Sequence, residues 1–213
     1  MLVDAMLKLQ AGGAYNINFV SPTQYTLQIK EAVALAKSRG LTLPIVWNTG
    51  GYERPEVIRS LGSTVDVFLT DFKYADSSLA KQYSAAPDYP DFSEAALKAM
   101  HEITGKYEIG DDGIMSRGVI VRHLVLPSHR DDSIAVLGRI AEAVPPEEVL
   151  LSLMAQYTPE FLPTPADPDP YLKIRRKVTS YEYEKVVSEA ARLGFDGFSQ
   201  ERSSATKRFT PDF

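Results

Sequence analysis

The chain has no cysteine among its 213 residues, and that absence removes several chemistries at once. Disulfides, thiolate nucleophiles and cysteine-ligated zinc or iron–sulfur clusters cannot be built from it alone. Histidine is nearly as scarce. His101, His123 and His129 are the three present, and no two stand at the helical spacing of a zinc-protease pair, so no histidine metal site is expected. No apolar run approaches the roughly 18 residues that cross a bilayer. The N-terminal MLVDAMLKLQ carries Asp4 and Lys8 inside its apolar pattern, which is not how a signal peptide reads. Basic excess is missing too. The net charge is −5, and the basic residues are scattered apart from Arg175-Arg176-Lys177 and Lys207-Arg208. Neither nucleic acid nor a membrane is therefore an expected partner, while small anions remain open locally. A cytoplasmic location follows as the default. Length and a hydrophobic content of 44% predict one domain over 1–213 with a full core.

What is present is most informative at residues 65–74, VDVFLTDFKY. At period two, Val65, Val67, Leu69, Asp71 and Lys73 share one side of a strand, and Asp66, Phe68, Thr70, Phe72 and Tyr74 share the other. A core-facing row thus ends in opposite charges. Burying such a pair costs several kcal/mol before attraction offsets it, which places Asp71 and Lys73 at the strand's C-terminal end. There they either face a polar ligand or form a solvated ion pair.

The rest of the chain alternates strand and helix. A helix occupies the first turns, on the stripe Leu2, Val3, Met6, Leu7 and Leu9, and Gly12-Gly13 ends it. Strands are predicted at 14–20, 43–48, 65–71, 117–127 and 149–157, with a closing strand at 195–200. Helices are predicted from Ser21-Pro22-Thr23 to Arg39, from Pro55, around 79–83, from Ser93 to Thr104, after a cap at Asp131, Asp132 or Ser133, and from a Thr179–Glu182 capping box to Gly194. Residues 158–172 are too rich in proline for helix or central strand and read as an ordered lid or a mobile loop. The tail to Phe213 reads as irregular.

Strands each followed by a helix argue for a parallel sheet that right-handed crossovers curl toward a barrel. Ligands of such folds sit at the strand C-termini. Here those ends carry Ser21-Pro22-Thr23, Asn48-Thr49-Gly50-Gly51, Asp71 with Lys73, Arg122 and Gln156-Tyr157, where a buried layer would prefer aliphatic groups. Trp47, Phe68, Met154 and Phe198 read as core, and His123 as a packed histidine. His129 falls in a loop. Tyr83, Tyr89, Tyr171, Tyr181 and Tyr183 read either as a sugar or peptide groove or as amphipathic packing.

The stretches NINFVSPT, VWNTGGYE, VDVFLTDFKY, SAAPDY, VIVRHLVLP and LLSLMAQY occur in that order. Together they resemble the radical S-adenosylmethionine superfamily, specifically iron–sulfur proteins related to pyruvate formate-lyase-activating enzyme, over about residues 2–195. The resemblance implies an α/β fold, a partial (β/α)6 TIM-like barrel of the radical SAM type, with S-adenosylmethionine and a 4Fe-4S cluster as cofactors. In that family the cluster is held by a Cys-x-x-x-Cys-x-x-Cys motif after the first strand. The absence of both here implies an N-terminally truncated member lacking that strand. Asn16 to Val20 would then be left as an exposed edge, covered by the helix at 1–11 or by a second copy of the chain.

Carried over residue by residue, Lys73 and Arg122 match basic positions that approach the bound S-adenosylmethionine or the reacting site. Thr49, Asp71 and the Leu69 carbonyl match a monovalent-cation site beside the cofactor carboxylate, with Asn48 in place of an acid. Tyr157, next to Gln156, falls near a polar residue close to the adenine. Ser21-Pro22-Thr23 occupies the place of a Gly-Gly-Glu motif that grips the methionine amino group. The expected function is a radical enzyme of the activating type, with a small-molecule cofactor and a glycyl-radical protein as the candidate substrate, this chain being inactive alone for want of cluster ligands. Two other classes stay open: a non-catalytic barrel kept for ligand binding or protein contacts, and a Schiff-base lyase using Lys73.

Overall fold

The structure, a computed structural model, describes residues 1–199. Expectations for the Phe198 side chain, Gln200 and the tail lie outside the described residues. In chain order the elements are α1 (Leu2–Ala11), β1 (Ile17–Val20), α2 (Thr26–Ser38), β2 (Ile45–Thr49), α3 (Pro55–Leu61), β3 (Val67–Asp71), α4 (Ser77–Ser84), α5 (Tyr89–Thr104), β4 (Glu108–Ile109), β5 (Met115–Leu124), α6 (Arg130–Ala143), β6 (Leu150–Met154), α7 (Ser180–Leu193) and β7 (Asp196–Ser199). Packing groups them into two compact units. The first is residues 1–71 with 91–121, and the second is residues 72–90 with those from 122 onward.

In the first unit the strand order is β1-β2-β3-β5, and β4 pairs antiparallel with the start of β5. β1, β2 and β3 are parallel, with Ile17 opposite Ile45 and Val46 opposite Val67. β2 buries three consecutive residues, Ile45, Val46 and Trp47, and β3 buries both Val67 and Phe68. Parallel strands are covered on both faces. The expected division of VDVFLTDFKY into a core side and an opposite side is corrected accordingly: Phe68, Thr70 and Phe72 are buried, while Leu69, Asp71 and Lys73 are half-buried. Ile58, Leu61, Leu97 and Met100 add fully buried side chains from the helices, each stabilising by roughly 1.5–3 kcal/mol.

The stripe on α1 is narrower than its pattern suggests, for Val3 and Met6 are buried whereas Leu2 and Leu9 are exposed. β1 ends the strand order and pairs only with β2 among the described residues, leaving Val20 exposed. α5 begins at Tyr89 rather than Ser93, because Pro90 falls in the first turn, where a missing N–H costs nothing. β4 has no counterpart among the expected strands. Its strand residues are too few to show a period.

In the second unit, the Phe72 N–H donates to the Arg122 carbonyl at 2.9 Å, and the Phe72 carbonyl lies 2.7 Å from His123 Nδ1. His123 is buried, as a packed histidine should be. β5, β6 and β7 follow in that order, with Leu150 opposite Asp196 across the parallel β6–β7 pair. α6 is capped by neither aspartate nor by Ser133. His129 stands at its N-cap, and Asp132, in the first turn, instead accepts the backbone N–H groups of Ala75 and Asp76 at 3.1 and 2.8 Å.

α7 opens on the expected capping box. Thr179 Oγ accepts the Glu182 N–H at 3.2 Å, and the Glu182 carboxylate accepts the Thr179 N–H at 2.9 Å. Gly194 closes that helix at φ +84°, a left-handed conformation that glycine adopts without strain. The proline-rich segment is ordered rather than helical. Arg175 bonds Asp169 and donates to the Pro163 carbonyl at 2.7 Å, and Gln82 donates to the Pro170 carbonyl.

Candidate functional site

In the first unit the C-terminal ends of β1 and β2 carry one polar group. Ser21 leaves β1 at φ +49° and donates its N–H to the Asn48 carbonyl at 2.8 Å, which sets Thr23 toward the turn after β2. That turn, TGGYE, folds back through Gly51 at φ +82°, where its carbonyl accepts the Glu53 N–H at 3.0 Å and the Ser93 hydroxyl at 3.1 Å. The result is a carboxylate held beneath two strand ends. Thr23 Oγ donates to Glu53 Oε1 at 2.6 Å, and the buried Thr49 hydroxyl donates to the same oxygen.

Glu53 is only 8% exposed, and no cation pairs with it among the described residues. A buried carboxylate without a positive partner is costly, so the arrangement suits a cationic group supplied by a ligand. Of the residues expected at the site, Thr23 and Thr49 meet here, and Glu53, which joins them, was not among those expected. The signal was the Gly-Gly pair, which lets the chain reverse tightly enough to return an acid to Thr49. Asp71 ends β3, half-buried, while Ser21 is exposed and Asn48 half-buried.

In the second unit Lys73 and Tyr157 come together on the wall of a cavity of about 260 Å³. Arg122 and Gln156 are half-buried but are not among its walls, and Gln156 Nε2 instead lies 3.6 Å from the Met154 sulfur. The remaining wall is Tyr74, Tyr83 and Tyr171 with Leu124, Leu126, Leu162 and Ile174. Pattern alone could not select these tyrosines, since they arrive from α4, from the segment after β3 and from the proline-rich segment. Burial pushes the Tyr157 phenol up to about 12, aided by Tyr83 and opposed by Arg175. Burial also raises Tyr74 and Tyr83, so all three are neutral at physiological pH. His129 was expected in a plain loop. It is buried, its Nε2 lies 2.9 Å from the Tyr83 hydroxyl, and burial lowers its pKa.

A 4Fe-4S cluster does not fit these residues. It takes cysteine thiolates; the chain has none, and no group of three or more His, Asp or Glu suited to a metal occurs among the described residues. The ammonium group of S-adenosylmethionine fits better, for Glu53 is an acceptor suited to it. No helix among the described residues is long and apolar enough to cross a membrane.

No protein-family model matches the chain. An uncharacterized protein of Methanocaldococcus jannaschii is 29% identical over 184 residues, which is 85% of this chain and 47% of that protein. The chain thus spans about half the length of that curated relative. A domain of pyruvate-formate lyase-activating enzyme from Bacteroides vulgatus superposes with a TM-score of 0.60 at 11% identity, covering 87% of this chain and 99% of that one. A radical SAM methyltransferase from Sphaerobacter thermophilus superposes with a TM-score of 0.55 at 14% identity, covering 92% of this chain and 54% of that one. Likeness at such low identity carries the architecture and nothing finer: this chain has the mostly parallel α/β fold of a partial TIM-like barrel that these radical SAM domains share.

Proposed function

We propose that the chain is the S-adenosylmethionine- and substrate-holding part of a radical enzyme of the pyruvate formate-lyase-activating type. Reductive cleavage of the sulfonium and hydrogen abstraction need an iron–sulfur cluster, and no ligands for one exist here, so those steps are not assigned to this chain. Its own residues would bind and orient. Glu53, fixed by the Thr23 and Thr49 hydroxyls, would receive the methionine ammonium group. In the first unit Asp71 and Thr49 would serve a cation beside the cofactor, and in the second Lys73 and Arg122 would serve the anionic or electron-rich groups of the substrate. A glycyl-radical protein as substrate, a cytoplasmic setting and pairing of two copies along β1 complete the reading.

The buried Glu53 carboxylate at two strand ends is the observation that carries this proposal. The test is calorimetric titration of S-adenosylmethionine into the purified, iron-free chain. Binding is expected without iron, and Glu53→Gln should weaken it about tenfold, the loss of one charge-assisted hydrogen bond. An analogue lacking the amino group should bind both forms alike. Absence of binding, or equal affinity of wild type and Glu53→Gln for the intact cofactor, refutes the assignment.

The position of Lys73 on a wall of tyrosine and leucine favours one second reading, a Schiff-base lyase, because such a wall would hold a carbonyl compound beside the amine. Borohydride reduction with a panel of aldehydes and ketones, followed by mass mapping of Lys73, decides it. No adduct across the panel retires that reading.

A further inference from the structure

The cavity of the second unit has a composition that selects its occupant. Three of its four tyrosine hydroxyls are committed elsewhere: Tyr74 Oη lies 3.0 Å from Ser84 Oγ, Tyr83 Oη lies 2.9 Å from His129 Nε2, and Tyr157 donates to the Ile174 carbonyl at 2.8 Å. Those bonds fix three of the rings, which offer aromatic carbon rather than spare hydroxyls. Tyr83 and Tyr171 lie 26° from parallel with centroids 6.2 Å apart, and Leu124 and Leu126 add aliphatic surface. Among the described residues, no acid lines the cavity and Lys73 is the one charged residue that does.

Size narrows the choice. A dry apolar cavity of about 150 Å³ accepts benzene, so about 260 Å³ has room for one six-membered ring with a short side chain. Leu162, from the proline-rich segment, forms part of the wall. That segment is anchored through Arg175 to the Pro163 carbonyl and through Gln82 to the Pro170 carbonyl. The walls are therefore largely preformed, which lowers the ordering cost of binding.

We infer that this cavity binds a single-ring aromatic acid, with the ring among the tyrosines and leucines and the carboxylate directed to Lys73. The inference rests on the function proposed above only in giving this ligand the part of substrate; the binding itself does not depend on it. Matching charge and ring, rather than apolar area alone, sets the preference.

The test uses the whole chain and three isosteric probes, 3-phenylpropionate, 3-phenylpropanol and 3-phenylpropylamine, followed by calorimetry and by saturation-transfer NMR. The acid should bind, the alcohol about tenfold more weakly, as expected for loss of one charge-assisted contact, and the amine not measurably. Lys73→Met should bring the acid down to the affinity of the alcohol. Leu126→Trp should fill the cavity and abolish acid binding while leaving the S-adenosylmethionine titration unchanged. An acid that does not bind, an amine that binds as tightly as the acid, or a folded Leu126→Trp chain that retains acid binding overturns the inference. Should that variant fail to fold, the order of the three probes on the wild-type chain decides. S-adenosylmethionine binding without acid binding removes this inference alone; acid binding without S-adenosylmethionine removes the cofactor assignment alone.

Discussion

Replacing Glu182 with alanine tests how the segment leading into α7 is held. Its carboxylate accepts the Ser128 N–H at 2.7 Å, the Thr179 N–H at 2.9 Å, the Thr179 hydroxyl at 2.8 Å and both terminal nitrogens of Arg176 at 2.6 and 2.9 Å. Losing the capping box costs about 1 kcal/mol, and stranding the Ser128 N–H, at a residue held at φ +66°, costs about 1 kcal/mol more. The Arg176 side chain is 44% exposed, so its ion pair is screened and adds at most about 1 kcal/mol. The sum is about 2–3 kcal/mol, a fall in Tm of about 5–10 °C for a chain of this length. Urea unfolding followed by far-UV circular dichroism measures it, and the fluorescence of Trp47, the single buried tryptophan, shows whether the first unit unfolds in the same transition.

Acid adds a second readout. The Arg176 guanidinium, opposed by burial and joined by the Thr179 and Ser128 N–H groups, holds this carboxyl well below its ordinary 4.5. A depressed folded-state pKa contributes stability that is full above the ordinary value and is lost as pH falls through the folded one. The gap between wild type and Glu182→Ala should therefore be constant from neutral pH down to about 5 and close only in stronger acid. A gap under about 0.5 kcal/mol at neutral pH, the size of an ordinary surface change, refutes the reasoning.

Asp132 should behave in the opposite sense. Burial raises its pKa from 3.8 to about 6 against the two N–H bonds it accepts, so its contribution is full below pH 3.8 and declines as pH rises through 6. Asp132→Asn keeps the accepting oxygen, and across that window it should gain on wild type by no more than about 2 kcal/mol, discounted for partial exposure; a parallel pH profile of the two forms counts against this. Gly118→Ala should lower the urea midpoint by an amount equivalent to about 1–3 kcal/mol, because its Cβ would lie 2.5 Å from the Tyr107 Cα at φ +120°; an unshifted midpoint contradicts it. If two copies pair along β1, sedimentation should give a dimer for wild type and a monomer for Val20→Lys, since a charge on an open edge blocks strand addition; a wild-type monomer at every concentration removes that partner.

Much of the architecture was legible in the chain itself. The Thr179–Glu182 box and Gly194 bound α7 because capping is local, and the alternation of apolar runs with helical stripes fixed the order of strands because burial period is local too. The lack of cysteine settled, from composition alone, that no cluster is ligated by these residues. Pairings made across long separations were decided only by tertiary structure. Glu53 meets Thr23 across thirty residues, and Tyr83, Tyr157 and Tyr171 reach one cavity wall from separate elements. Neither arrangement has a period or spacing to announce it. The edge of β1, the start of α5 and the N-cap of α6 likewise depended on what the surrounding chain left covered, since a local signal such as Pro90 or Asp131 permits several boundaries and packing selects one.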